Sequence, residues 1–386
     1  MFKFIGLFAL AASYIIIPSV QSAEWSVTGM LNPMIMYDDN VLMAENETSS
    51  FHNSMSPTMT FSRQQDDNNA SLSLGYTINR YTSLSYLNTQ DSFIRFNSGY
   101  QTERSNWGLD ASYVESSSRD NAATDTGDFT TESTVITETI SPSYSYRLTE
   151  RDTLSVNGSY TEETFSTTDF SASESISLNT GWTRQFTDRF NGGLNLSVTR
   201  FQSPGLRASN EDNYNLSSSI NYDYSEIWNI DGNIGIRKLN SQQTGNLGVA
   251  ETNSSPGLSW DINARRTSEL DIINVGVSRA VTPSRTGDSN EVDTINFSWS
   301  SRITETVSTS LSSRYQHTAS AINESSRKRE NFNFSPAINW QVERNLGLNL
   351  AYNYRQQKES QLSTNVSSNS LSLTLNYNWD GLRASR

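Results

Sequence analysis

Histidine occurs twice in the 386-residue chain, at His52 and His317, and cysteine is absent. A thiolate metal site and a disulfide are both excluded, and two isolated imidazoles lack metal-ligand spacing. Ser310 to Ser313 precede His317 as a nucleophile and base would, but 64 serines make that proximity uninformative. Asp38-Asp39-Asn40 puts oxygen ligands in one turn. They are too few for an EF-hand loop and read as a solvated turn. Arg327-Lys328-Arg329 is a basic patch suited to phosphate, or a solvated loop tip. A net charge of −13 gives no support to nucleic-acid binding. The reading is therefore of no catalytic residues, no cofactor and no resident metal.

The elements that carry these residues are strands. Leu346, Leu348, Leu350, Tyr352 and Tyr354 share one phase; Gly347, Asn349, Ala351 and Asn353 share the other. The same alternation runs through Tyr214 to Tyr224 and through Leu371 to Trp379. Period two means a strand with one apolar and one polar face. Ser, Thr and Asn make up 36% of the chain against 34% for the apolar set, too polar for a soluble globular core. Yet 17 Tyr, 16 Phe and 8 Trp argue against disorder.

Hydroxyl-acid pairs recur between the strands: Thr102-Glu103, Thr149-Glu150, Thr187-Asp188, Ser225-Glu226, Ser268-Glu269 and Thr304-Glu305. Their spacing of about 40 residues is a hairpin repeat. Longer Gly/Ser/Asn-rich loops lie between them, including Ser116 to Thr131 and Gln202 to Asp212. Short turns on one side and long loops on the other, with alternating segments of about 10 residues, are the pattern of a bacterial outer-membrane barrel. The fold class expected is all-β: a transmembrane antiparallel up-and-down β-barrel of about 18 strands, with 16 the main rival. The last strand is expected over Ser370 to Trp379, with a tail from Asp380 to Arg386. Trp107, Tyr146, Phe186, Tyr224, Trp228 and Trp340 fall beside the short turns, where an interfacial girdle belongs.

The apolar phase faces lipid, so the opposite phase faces the lumen. It carries Arg95, Arg147, Arg237, Arg265, Arg302, Arg314 and Arg355, against Asp110, Asp231 and Asp261. Most remaining acids fall in loops and turns. Such a lumen either favours anions or braces itself through internal ion pairs. Eighteen strands enclose more space than side chains fill, which implies a watery channel. A long loop such as Ser116 to Thr131, folded inward, would block it.

Met1-Phe2-Lys3, the apolar run Phe4 to Ile17, Pro18 and the small residues around Ser22-Ala23 have the order of a secretory signal peptide. Residues 1–22 are expected to be a leader and 23–386 a single barrel domain in the bacterial outer membrane. Expected partners are outer-membrane lipids, lipopolysaccharide and the barrel-assembly machinery, with no nucleic acid.

Tyr37-Asp38-Asp39-Asn40 closes the first strand, and turns of the Arg147-to-Arg151 kind follow at hairpin intervals. Together they resemble the outer-membrane β-barrel family encoded with exopolysaccharide and exosortase systems, the EpsL-type porins. The resemblance implies a part in exopolysaccharide export across the outer membrane, alongside polysaccharide export components. The residues alone leave two classes open: a pore for export or solute passage, and a surface barrel with a structural or binding role carried by its loops.

Overall fold

The computed structural model describes residues 23–385 apart from 205–207, 245–249, 287–288, 323–327 and 361–363. The leader assigned to residues 1–22 lies outside the described residues. Eighteen strands follow one another. They are β1 (Glu24–Asp38), β2 (Ser50–Gln64), β3 (Asn68–Tyr81), β4 (Thr89–Gln101), β5 (Ser105–Ser117) and β6 (Thr134–Arg147). Next come β7 (Asp152–Phe165), β8 (Ser173–Thr187), β9 (Phe190–Ser203), β10 (Ser209–Asp223), β11 (Trp228–Thr244) and β12 (Ala250–Thr267). The last six are β13 (Asp271–Pro283), β14 (Ser289–Arg302), β15 (Val307–Ser320), β16 (Arg329–Glu343), β17 (Leu346–Glu359) and β18 (Thr364–Ser385). Each pairs antiparallel with its sequence neighbours, and β1 also pairs with β18, so the sheet closes into a barrel.

Alternation decides the two faces. Ile35, Met55, Leu196, Ile236, Ile295 and Leu373 all stand exposed on the outer wall. An apolar band of this extent is stable only against hydrocarbon, and a closed barrel leaves no unpaired edge there. Buried hydrophobic residues are few, as expected of a wall one strand thick. Near the short turns the rings of Trp107 and Tyr144 lie 4.2 Å apart, and Phe186, Phe190, Tyr222 and Tyr224 form a chain of ring contacts. That band is the girdle expected at the inner interface.

The repeated hydroxyl has a local cause. In five of the turns it accepts a hydrogen bond from the backbone N–H three residues on: Ser105 to Thr102, Asp152 to Thr149, Trp228 to Ser225, Asp271 to Ser268 and Val307 to Thr304. A Ser or Thr side chain thereby stands in for a backbone acceptor and closes the turn.

The chain end departs from the sequence reading. Asp380 to Ser385 is not a tail beyond the last strand: β18 runs on to Ser385, and Ser385 pairs with Glu24. The register shifts beside Val27, where Gly381 adopts a φ of 73°. A Cβ at Gly381 would lie 1.4 Å from the Val27 carbonyl, so only glycine fits this bulge.

At the opposite end of the same seam sits the Tyr37-to-Asn40 turn. It is not a solvated turn, because Asp38 is 2% and Asn40 1% exposed. The Asp38 carboxylate accepts hydrogen bonds from Arg355 Nη2 (2.6 Å), Ser368 Oγ (2.6 Å) and the Asn40 N–H (2.9 Å). Asp39 takes the Asn369 N–H and side-chain amide, and Asn40 Nδ2 donates to the Ser367 carbonyl. The motif therefore rivets β1 to β17 and β18 where the first and last strands meet. Substituting Asp38→Ala strands the Arg355 cation, so the barrel should lose about 3 kcal/mol. The check is urea unfolding in detergent micelles; an unchanged midpoint would show that the rivet is dispensable.

Candidate functional site

Residues 118–133, between β5 and β6, form the longest described connection and fold inward across the lumen. A one-turn 3-10 segment, Ser118–Asn121, opens this lid, capped by Ser117 and Asp120 in reciprocal hydrogen bonds. In a ring of eighteen strands, β14 and β15 lie diametrically opposite β5 and β6, and the lid reaches β15 and the strands beyond it. The Asn331 side-chain amide donates to the Ala123 carbonyl (2.6 Å) and Gln316 to that of Thr124 (3.1 Å). Arg329 donates to the Asp125 carbonyl and Gln357 to that of Gly127 (3.0 Å). Ser284 Oγ (2.6 Å) and the Arg285 N–H (3.2 Å) hold the Asp125 carboxylate.

Four lid carbonyls and one carboxylate are thus gripped by side chains of β15, β16, β17 and the β13–β14 connection. Gly127 has a φ of 73° and lies under the Arg329 guanidinium, where a Cβ would collide with it. A small apolar cluster of Met43, Ala122 and Phe129 seats the lid on the β1–β2 connection. Arg119 adds a hydrogen bond to the Val41 carbonyl (2.9 Å) and stacks over Tyr81. Between lid and wall a cavity of about 320 Å³ remains, lined by Phe201, Val292, Thr282, Pro283, Arg285 and Glu163 among others.

The sequence-derived lumen residues meet different fates. Arg95 lies on the Phe93 ring at 4.5 Å, Arg265 Nε reaches Thr267 Oγ1 (3.3 Å), and Arg302 touches the Glu269 carbonyl at the short-turn end. Arg147 borders the Leu148-to-Arg151 turn, and Arg314 stands exposed on β15. Asp110 accepts from Asn97 Nδ2, while Asp231 and Asp261 share the amide of Asn263. Two of the arginines are not free luminal charges: Arg355 is tied to Asp38, and buried Arg237 pairs with Glu291. The Arg327-to-Arg329 patch does not face outward as a unit, because Arg329 is buried and holds the lid; Arg327 lies outside the described residues. His52 stacks on Tyr81 at 4.4 Å and bonds Asn79.

Gln316, Asn331, Gln357 and Ser284, which hold the lid, have no distinguishing mark in the sequence. The available signal was negative: polar side chains on the luminal phase close to the long-loop ends.

The lid also carries most of the titration chemistry outside the wall. Burial pushes the carboxyls of Asp120, Asp125 and Glu132 above the ordinary carboxylate range, despite hydrogen bonds that act the other way. Burial pushes Asp128 up as well, but hydrogen bonds from Thr131 and Thr130 outweigh it and hold that carboxyl low.

No protein-family model matches the chain, and no curated protein matches it. Solved structures do share its fold. The crystal structure of Acinetobacter baumannii OccAB2 aligns over 92% of this chain and 98% of its own, with a TM-score of 0.51 and 10% identity. That of Acinetobacter baumannii OccAB4 aligns over 95% and 100%, with a TM-score of 0.50 and 11% identity. At such identities the likeness is one of fold, that of an outer-membrane β-barrel.

The carboxyl shifts give the lid a pH dependence with a definite sign. A carboxyl raised in the docked state binds its proton more readily there than when free, so acid favours docking; Asp128, held low, opposes this. Three raised groups against one lowered predict tighter docking as pH falls from about 7 to about 4.5. Single-channel recordings should show open time falling on acidification, and less steeply in Asp125→Asn. A rising open time would reverse the assignment.

Proposed function

We propose that this protein is an outer-membrane pore whose passage is governed by the lid over residues 118–133. The observation that carries the reading is how the lid is held. It crosses the full mouth, yet its far end hangs on hydrogen bonds from Gln316, Asn331, Arg329, Gln357 and Ser284, and its near end on a small apolar cluster and Arg119. Hydrogen bonds of this kind contribute about 1 kcal/mol each and exchange readily with water, so the contact is reversible. Beneath it the luminal phase is Ser, Thr and Asn, which offers a hydrated path rather than a packed core.

The passage class we infer is a hydrophilic solute or polymer. The resemblance of Tyr37 to Asn40 and the hairpin turns to EpsL-type barrels supports exopolysaccharide export, with polysaccharide export components as partners. Inward-phase aromatics at the lid level are few, and two of them lie under a guanidinium: Tyr81 under Arg119 and Phe165 under Arg285. This leaves no bare stacking track for a neutral sugar and favours an acidic polymer or small anion.

Planar bilayers provide the test. Deleting residues 119–130 should raise unitary conductance at least about threefold, because the constriction is removed. Wild type and deletion both silent would instead support a surface barrel that works through its loops. Selectivity is a separate measurement. Reversal potentials in a KCl gradient should show anion preference, falling by about tenfold in permeability ratio in Arg265→Ser with Arg314→Ser. Cation preference in the wild type would mean that the acidic loops set the field.

A further inference from the structure

The barrel wall has its shortest ladder between β12 and β13, and prolines mark that seam. Four prolines each break one ladder for two positions: Pro33 toward β18, Pro57 toward β3, Pro142 toward β7 and Pro336 toward β17. In all four the pairing then resumes. Between β12 and β13 it does not. Their register ends at Trp260 opposite Arg279, eight pairs in all, although β12 runs up to Ala250 and β13 on to Pro283. Continuing that register would set Pro256 opposite Pro283. Neither can donate a ladder hydrogen bond there, and the pairing stops three positions short of them. Above Trp260, β12 pairs only with β11, and β13 only with β14.

The side chains show where the freed edges go. Arg237 and Ser241 have inward phase on β11, opposite to exposed Ile236, and Glu211 has inward phase on β10. Ser289 and Glu291 have outward phase on β14, the same as exposed Ile295. Yet Glu291 pairs with Arg237, and Glu211 accepts from both Ser289 and Ser241. Outward residues of β14 can meet inward residues of β10 and β11 only if the β13–β14 tip is tucked inside the barrel, behind the upper β10–β12 wall. The wall overlaps itself like a shutter, joined by polar side chains instead of a backbone ladder.

Three features say what such an overlap could admit. The cavity under the lid backs directly onto it, since Thr282 and Pro283 line that cavity beside apolar Phe201 and Val292. Arg237 is packed against Gly257, and its Nε and Nη1 are buried with no hydrogen-bond partner among the described residues. Outside, Leu258 is exposed to the lipid, and cationic Lys238 lies opposite Pro256. Apolar volume, an incompletely satisfied buried guanidinium and an outer cation suit one ligand class.

We propose that the β12–β13 seam is a lateral doorway through which an anionic, single-chain amphiphile passes between the outer leaflet and the cavity under the lid, with Arg237–Glu291 as its latch. The route runs through the wall and does not depend on conduction along the barrel axis.

A cysteine-free chain makes the test direct. Val292→Cys, carrying a bimane fluorophore, reports from the cavity. Ser112→Cys, paired on both sides with Arg95 of β4 and Thr139 of β6, is the control. In lipid vesicles containing 16-doxyl-stearate, a paramagnetic fatty-acid anion, quenching at Val292 should exceed that at Ser112 by about threefold, with iodide correcting for aqueous access. Replacing both prolines, P256T with P283T, lets the ladder close and should bring Val292 down to the control. E291Q opens the latch and should raise it. Equal quenching at the two sites overturns the proposal, as does quenching that survives in an assembled P256T/P283T barrel. If that double variant fails to assemble, the E291Q arm decides, and no change there overturns the doorway. Conductance recorded on the same preparations keeps failure of the doorway distinct from failure of the pore.

Discussion

Backbone hydrogen bonding in hydrocarbon is the constraint on which this structure depends. A strand in lipid must give every N–H and C=O a partner, and only closure of the sheet removes the two edges. The chain spends specific residues on that closure. Gly381 lets β18 bulge beside Val27 at one end, and the Asp38-Asp39-Asn40 turn ties β1 to β17 and β18 at the other. A motif that looks like a loop turn is therefore a closing device, and its carboxylates accept hydrogen bonds from an arginine, a serine and an asparagine.

The same constraint explains where the molecule is adaptable. The lid lies in the aqueous mouth, where water can replace any hydrogen bond it gives up, so polar side chains suffice to hold it. The β12–β13 overlap is at the long-loop end of the wall, where the ladder ends at Trp260 opposite Arg279 and side chains take its place. Both features converge on the cavity lined by Asp125, Arg285, Thr282 and Val292. The inward-folded β13–β14 tip serves both: Arg285 holds the lid through the Ser118 carbonyl (3.2 Å), while Ser289 and Glu291 hold the wall.

Charge is distributed accordingly. A luminal arginine can act on a passing ion only if its field is not already neutralised. Arg237 and Arg355 carry structural ion pairs, so the permeation path is left to exposed arginines such as Arg314 and to side chains such as Arg265, which bonds the neutral Thr267 hydroxyl. Counting arginines by phase alone overstates the luminal field.

Period-two alternation, the hydroxyl turn motif and the length of the β5–β6 connection are local properties, and the sequence by itself determined them. They yield eighteen strands, an apolar exterior and an inward candidate loop, because strand geometry assigns a face to every residue without reference to the rest of the chain. Closure at Gly381 escaped that reading, since an aromatic such as Trp379 ordinarily ends such a strand and the bulge depends on its partner Val27. The tertiary structure alone decided which polar side chains meet across the lumen. Asp125 with Ser284, Gln316 with Thr124 and Arg237 with Glu291 join residues far apart in sequence, and nothing in one strand's pattern selects its opposite across the barrel. Pro256 and Pro283 are each unremarkable within their own strand. Only the register of β12 against β13, carried on past Trp260, would set one opposite the other, and that register is a property of the closed sheet.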